Sequence, residues 1–138
     1  MSTASVSDIV VVDTNVVSFF FKGDTRAALY QPHLVGRLQI IAAQTRAELE
    51  LWTLLHSWGQ RRRHALHAYL RNFAFAEADE SICLLWAEVQ AHARQHGRPI
   101  SISDSWIAAT ALAFAVPLVT HNPDDFKDVP GLTVITEK

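Results

Sequence analysis

The sequence predicts an α/β fold, with helices on both faces of a mainly parallel sheet. Three observations carry this. Ile9-Val10-Val11-Val12 is a β-branched run apolar on both faces, the mark of a buried central strand. Further short apolar strand candidates alternate with longer helical patterns along the chain. Of the 138 residues, 49% are hydrophobic and 19% charged, enough for an ordered core and the usual size of a single domain spanning 1–138.

The first strand, Ile9 to Val12, ends in Asp13-Thr14-Asn15, and an apolar helical segment runs to about Lys22-Gly23. Asp24 stands where it would cap a helix over roughly 25–36. Leu38 to Ala42 is the second strand candidate. A helix is predicted from about Gln44 to Ser57, stopping near Gly59, and another over 60–72 that begins Gln60-Arg61-Arg62-Arg63. Phe73 to Ala76 reads as a short strand. Asp79 to His96 is a long helix, closed by Gly97 and Pro99 where helices stop. Ser103 to Ala115 is the last long helix. Pro117 to Thr120 and Leu132 to Ile135 are the remaining strands.

Several function classes are disfavoured. A net charge of −2 does not advertise a nucleic-acid binder, so any phosphate contact must be local or metal-mediated. One cysteine, Cys83, excludes a disulfide framework or cysteine-based metal site within the chain and fits a reducing cytoplasm. The opening MSTASVSDI lacks the basic and apolar stretches of a signal peptide, and the apolar runs are far too short to span a bilayer. The seven histidines show no zinc spacing; His92 and His96 are four apart but lack a third nearby ligand.

Four acidic positions invite chemistry, each with a plainer reading beside it. Asp13 follows the first strand directly, where open α/β sheets bind ligands; it would equally cap the next helix. Glu48 shares a helical face with Leu51, Trp52 and Leu55, so it points to the core or a cleft, unless an edge position lets it reach water. Arg46, Glu50, Thr53 and Ser57 form the polar face. Asp104 lies in a capping-box pattern, Ser101-Ile102-Ser103-Asp104, at a helix start. Asp124 and Asp125 follow a strand within a good turn sequence. Carboxylates gathered in one cleft repel by about 4 kcal/mol per close pair at an effective dielectric of 20, unless a cation neutralises them. Oxygen-only ligands suit Mg²⁺ or Mn²⁺, which activate water and stabilise a phosphodiester transition state.

The motifs "VVVDTNVV", "TRAELELW", "SISDSWIAATAL" and "VTHNPDDF" resemble, in order, the four motifs of PIN-domain ribonucleases, specifically the VapC toxins of bacterial toxin–antitoxin pairs. The resemblance covers nearly the whole chain. It implies a PIN-type three-layer α/β/α sandwich with strand order 3-2-1-4-5. It implies an acidic metal-holding set of Asp13, Glu48, Asp104 and Asp125, with Thr14, Asn15, Thr120 and Asn122 as polar supports. The implied reaction is Mg²⁺- or Mn²⁺-dependent cleavage of RNA by water, with the ribose 3′-oxygen leaving. The implied partners are RNA, a second copy of the chain and a cognate VapB-like antitoxin that covers the site, with no membrane. In this register Asp125, not Asp124, belongs to the acidic set.

Two positions depart from the pattern. His121 stands where relatives often carry Arg, and a neutral imidazole attracts phosphate less. Trp106 is bulky for a place so near Asp104; it packs in the core, narrows the cleft or stacks on a base. Arg61, Arg62 and Arg63 are candidate RNA phosphate contacts or a solvated helix face. Two rivals remain: a catalytically silent PIN-like module that binds RNA or protein, and a phosphohydrolase resembling haloacid dehalogenases. The latter needs a second Asp where Asn15 stands.

Overall fold

Val10, Val11 and Val12 are each at most 1% exposed, and their alternation decides the layering. Val10 and Val12 pack with Val16, Val17, Tyr30, Leu49, Leu66 and Leu70 on one face. Val11 packs with Val89, Ile107, Ala108 and Ala111 on the other. A strand whose side chains alternate between two apolar layers must have helices on both sides. Each fully buried aliphatic side chain contributes about 1.5–3 kcal/mol, so this run is a main anchor of the fold.

The computed structural model describes residues 8–138, so the reading that residues 1–7 carry no leader lies outside the described residues. The elements are β1 (Ile9–Val12), α1 (Thr14–Lys22), α2 (Ala27–Leu34), β2 (Leu38–Ala42), α3 (Ala43–Leu55), α4 (Gln60–Leu70), β3 (Ala74–Ala76), α5 (Glu80–Gln95), α6 (Ile102–Phe114), β4 (Leu118–Val119) and β5 (Val134–Ile135). A short 3₁₀ turn covers Pro123–Asp125. The five strands form one sheet in the order β3-β2-β1-β4-β5, and every neighbouring pair is parallel. The architecture is therefore the three-layer α/β/α sandwich, with the strand order expected. β1 is central, and Val11 pairs with Ile40 on one side and Leu118 on the other.

Helix ends differ from expectation by one or two residues where local hydrogen bonds decide them. Asp24 does not cap α2. Its carboxylate accepts from the Arg26 backbone N–H (2.9 Å) and closes a turn before the helix begins. β4 is shorter than Pro117–Thr120, although Thr120 N–H still donates to the Ile135 carbonyl (3.0 Å).

The larger correction concerns α3. The face expected to be buried is largely outside: Leu51 is 50% and Leu55 67% exposed, with Leu54 beside them at 62%. The buried stripe is Thr45, Leu49 and Thr53, with Trp52 half-buried at its edge. Thr53 hides its polarity by donating its hydroxyl to the Glu50 carbonyl (2.7 Å), so a residue assigned to the polar face is core. Glu50 is not simple surface either. It bridges helices, accepting from Arg46 Nε (2.9 Å) and pairing with His67 Nε2 (3.0 Å).

Candidate active site

β1 and β4 are neighbouring parallel strands with Val12 opposite Val119, so the residues that follow them, Asp13 and Thr120, come side by side. Thr120 donates its hydroxyl to Asp13 Oδ2 (2.7 Å). Thr14 donates its backbone N–H to Asp13 Oδ1 (2.7 Å), which makes Asp13 the N-cap of α1. Asp13 therefore caps a helix while standing at the strand edge. It is only 5% exposed. Burial pushes its pKa up to about 6 against the pull of the Thr120 and Thr14 hydrogen bonds, and the charges of Asp104 and Glu48 push it further up.

Glu48 reaches the same place from α3, which packs against both α1 and α6. Thr14 donates its hydroxyl to Glu48 Oε1 (2.8 Å) and shares a hydrogen bond with Thr45 Oγ1 (3.0 Å). Glu48 is half-buried, so it faces inward, though not through the apolar face expected. Asp104 opens α6. Its backbone N–H donates to Ser101 Oγ (3.0 Å), so the capping pattern is real, and its carboxylate is half-buried. Burial raises its pKa, the Ser101 hydroxyl opposes this, and the charges of Asp125 and Glu48 add to the rise. Asp124 contributes to neither Asp13 nor Asp104. Asp124 and Asp125 are both exposed, at the end of the 3₁₀ turn that Pro123 opens.

The other expected residues divide. Asn15 Oδ1 accepts from the His121 backbone N–H (3.3 Å), and Asn122 N–H donates to Thr120 Oγ1 (3.0 Å) while the Asn122 side chain stays exposed. Thr120 is thus fixed from two sides. His121 turns Nδ1 toward the Tyr30 hydroxyl and packs edge-on against Phe19 (5.3 Å) and Tyr30 (5.6 Å). Burial lowers its pKa, as do the charges of Arg26 and Lys138, against Asp24. Arg61, Arg62 and Arg63 stand in the first turn of α4. Arg62 lies over the Trp58 ring (3.7 Å), and among the described residues none of the three bonds to the acidic cluster.

Sequence reasoning missed three supports. Thr45, fully buried, lies one turn before Glu48, and that i,i+3 spacing was the available signal. Tyr30 is fully buried and donates to the Thr120 carbonyl (3.4 Å), a contact across 90 residues that no local pattern encodes. Gln90 of α5 donates to Ser105 Oγ (2.7 Å) and the Ile100 carbonyl (3.0 Å), tying down the start of α6.

The donor set is hard oxygen, and it is uncompensated. Among the described residues, every ion pair lies elsewhere, and none involves Asp13, Glu48, Asp104 or Asp125. Asp13 is buried, and Glu48 and Asp104 half-buried, without a cationic partner, an arrangement that a divalent cation would relieve. Among the described residues no group of three or more His, Cys, Asp or Glu side chains is arranged to hold a metal ion. Asp13, Glu48 and Asp104 offer oxygen donors alone, the ligand type that hard divalent cations take.

Comparison with known proteins is consistent with this geometry. A family model described as PIN domain matches residues 10–132. The chain is 28% identical over 127 residues to toxin FitB of Neisseria gonorrhoeae, covering 86% of this chain and 91% of the relative. It is 31% identical over 98 residues to ribonuclease VapC4 of Mycobacterium tuberculosis, covering 70% and 75%. Its fold matches a chain of the VapBC2 structure from Rickettsia felis, solved bound to a DNA fragment from their promoter. There the TM-score is 0.83 and the identity 20%, over 94% of this chain and 99% of the other.

Proposed function

The chain belongs to the PIN-domain family, and from that premise we propose that it is a metal-dependent endoribonuclease, the toxin of a toxin–antitoxin pair. The observation that carries the reading is the uncompensated carboxylate cluster at the C-terminal edge of the sheet, where Asp13 and Asp104 are raised by burial and by neighbouring acids.

Asp13, Glu48, Asp104 and Asp125 are the residues that would hold Mg²⁺ or Mn²⁺. An ion held there would supply an activated water and offset the charge on the phosphodiester as the ribose 3′-oxygen departs. The chain's own groups do the positioning. Thr120 and the Thr14 N–H fix both oxygens of Asp13, the Thr14 hydroxyl steers Glu48, and Ser101 sets the helix start that carries Asp104. Asn15, held on the His121 backbone, and Asn122 brace Thr120 and its loop. The partners are RNA, a cognate VapB-like antitoxin and a second copy of the chain. Among the described residues no helix is long and apolar enough to cross a membrane, and we place the reaction in the cytoplasm.

The test is cleavage of an unstructured RNA with Mg²⁺ or Mn²⁺. EDTA, Asp13→Asn and Asp104→Asn should each abolish it while circular dichroism stays native. Full activity in either folded variant sinks the reading.

A further inference from the structure

Beside the acidic cluster lies a cavity of about 210 Å³ that nothing above uses. Ala42, Ala47 and Ala78 leave it room, and Trp106, Gln44 and Thr110 complete its walls. It sits between α3 and α6, the two helices that carry Glu48 and Asp104. Gln44 precedes Glu48 by one turn on one helical face, and Trp106 follows Asp104 by two residues.

Three features point to a planar, uncharged ligand. Trp106 is held rigid by stacking on Trp86 (5.2 Å between centroids, 24° between planes), whose indole N–H donates to the Ile102 carbonyl (3.3 Å). A preset ring loses little freedom when something stacks on it. The walls hold no cation to attract a phosphate, so the occupant is a base and not the backbone. The Gln44 carboxamide and the Trp106 indole N–H have no side-chain or backbone partner among the described residues. The Thr110 hydroxyl is committed to the Trp106 carbonyl (2.8 Å). A free amide beside an aromatic wall is how single-stranded RNA bases are read, by stacking and by edge hydrogen bonds. At 210 Å³ the space is below that of drug-sized sites and suits one ring system.

We propose that this cavity receives one unstacked base of the RNA, next to the phosphate at the acidic cluster, with Trp106 stacking on it and Gln44 reading its edge. The inference rests on the ribonuclease reading for its ligand.

The test uses the full chain carrying Asp13→Asn and a set of labelled, unstructured RNA heptamers, each abasic at one position. One abasic position should weaken binding about 10-fold or more, the weight of one stacked base. Trp106→Leu should weaken the intact heptamer to a similar degree and erase that position's penalty; Gln44→Ala, a half-buried change, should reduce it in part. A penalty that persists in full in both variants overturns the proposal, because that base is then held outside the cavity. In parallel, the same heptamers are offered to the chain with Asp13 intact. Coupling without cleavage sinks the nuclease reading alone, cleavage without coupling sinks the pocket alone, and no RNA binding by any variant overturns both.

Discussion

Asp13 keeps a carboxylate where burial works against the charge, and two hydrogen bonds hold it there. Removing one has a signed consequence. Thr120→Val deletes the hydroxyl that favours the ionised form, so the acid limb of the pH–rate profile should move to higher pH by roughly one unit, the weight of one hydrogen bond to a charged group. An unmoved limb, with activity intact, means that Asp13 does not set it. The loop after β4 poses the other residue-scale question. The charge of Asp125 registers at Asp104 and that of Asp124 does not. Asp125→Ala should therefore lower kcat by 10-fold or more, and Asp124→Ala should leave it within about 2-fold, both measured on one RNA substrate; the reverse order makes the motif register wrong.

At the scale of elements, the acids depend on how helices are seated. Gln90 secures α6 from α5, and Gln90→Leu leaves Ser105 Oγ and the Ile100 carbonyl without that donor. The loss should cost about 1–3 kcal/mol of stability, read by urea unfolding, and should lower kcat more than it raises KM because the start of α6 carries Asp104. A variant as stable as the parent would show that the tie contributes little. α3 shows why element type was legible and its rotation was not. The helix was predicted within two residues of its ends. Hydropathy points to Leu51 and Leu55 as its inner face, whereas Leu49 faces the core with Thr45 and Thr53, whose hydroxyls are hydrogen-bonded to Thr14 and to the Glu50 carbonyl. Glu48 faces inward because the buried stripe is Thr45, Leu49 and Thr53, and Thr14 meets it there.

For the whole molecule, the acidic cluster is a cost to the metal-free fold. Asp13 titrates near 6 when folded and near 3.8 when unfolded, so the folded chain holds the extra proton between those values. Stability therefore falls as pH rises through that window, by on the order of 3 kcal/mol, and levels off above it. Asp104, shifted the same way, adds to the fall. Asp13→Asn should accordingly stabilise the metal-free protein at pH 7.5 by about 1–3 kcal/mol and change little below pH 4, as measured by urea unfolding at both values. Added Mg²⁺ or Mn²⁺ should raise the unfolding midpoint of the parent and not of the variant. A variant less stable than the parent at pH 7.5 contradicts the linkage.

The parallel α/β plan is written locally, because Ile9-Val10-Val11-Val12 is apolar on both faces and strands alternate with helices. So is the chemical type of the candidate site, because its acids follow strands or open and line helices in a recognisable order. Which groups meet depends on how distant segments pack. Asp13 and Thr120 are 107 residues apart and touch because β1 and β4 share a register. Tyr30 enters as a support because long-range packing, not local periodicity, buries it. Whether the carboxylates carry bound cations or stand uncompensated is likewise a property of three-dimensional neighbours, since electrostatic interaction follows distance and burial, and the linear sequence encodes neither directly.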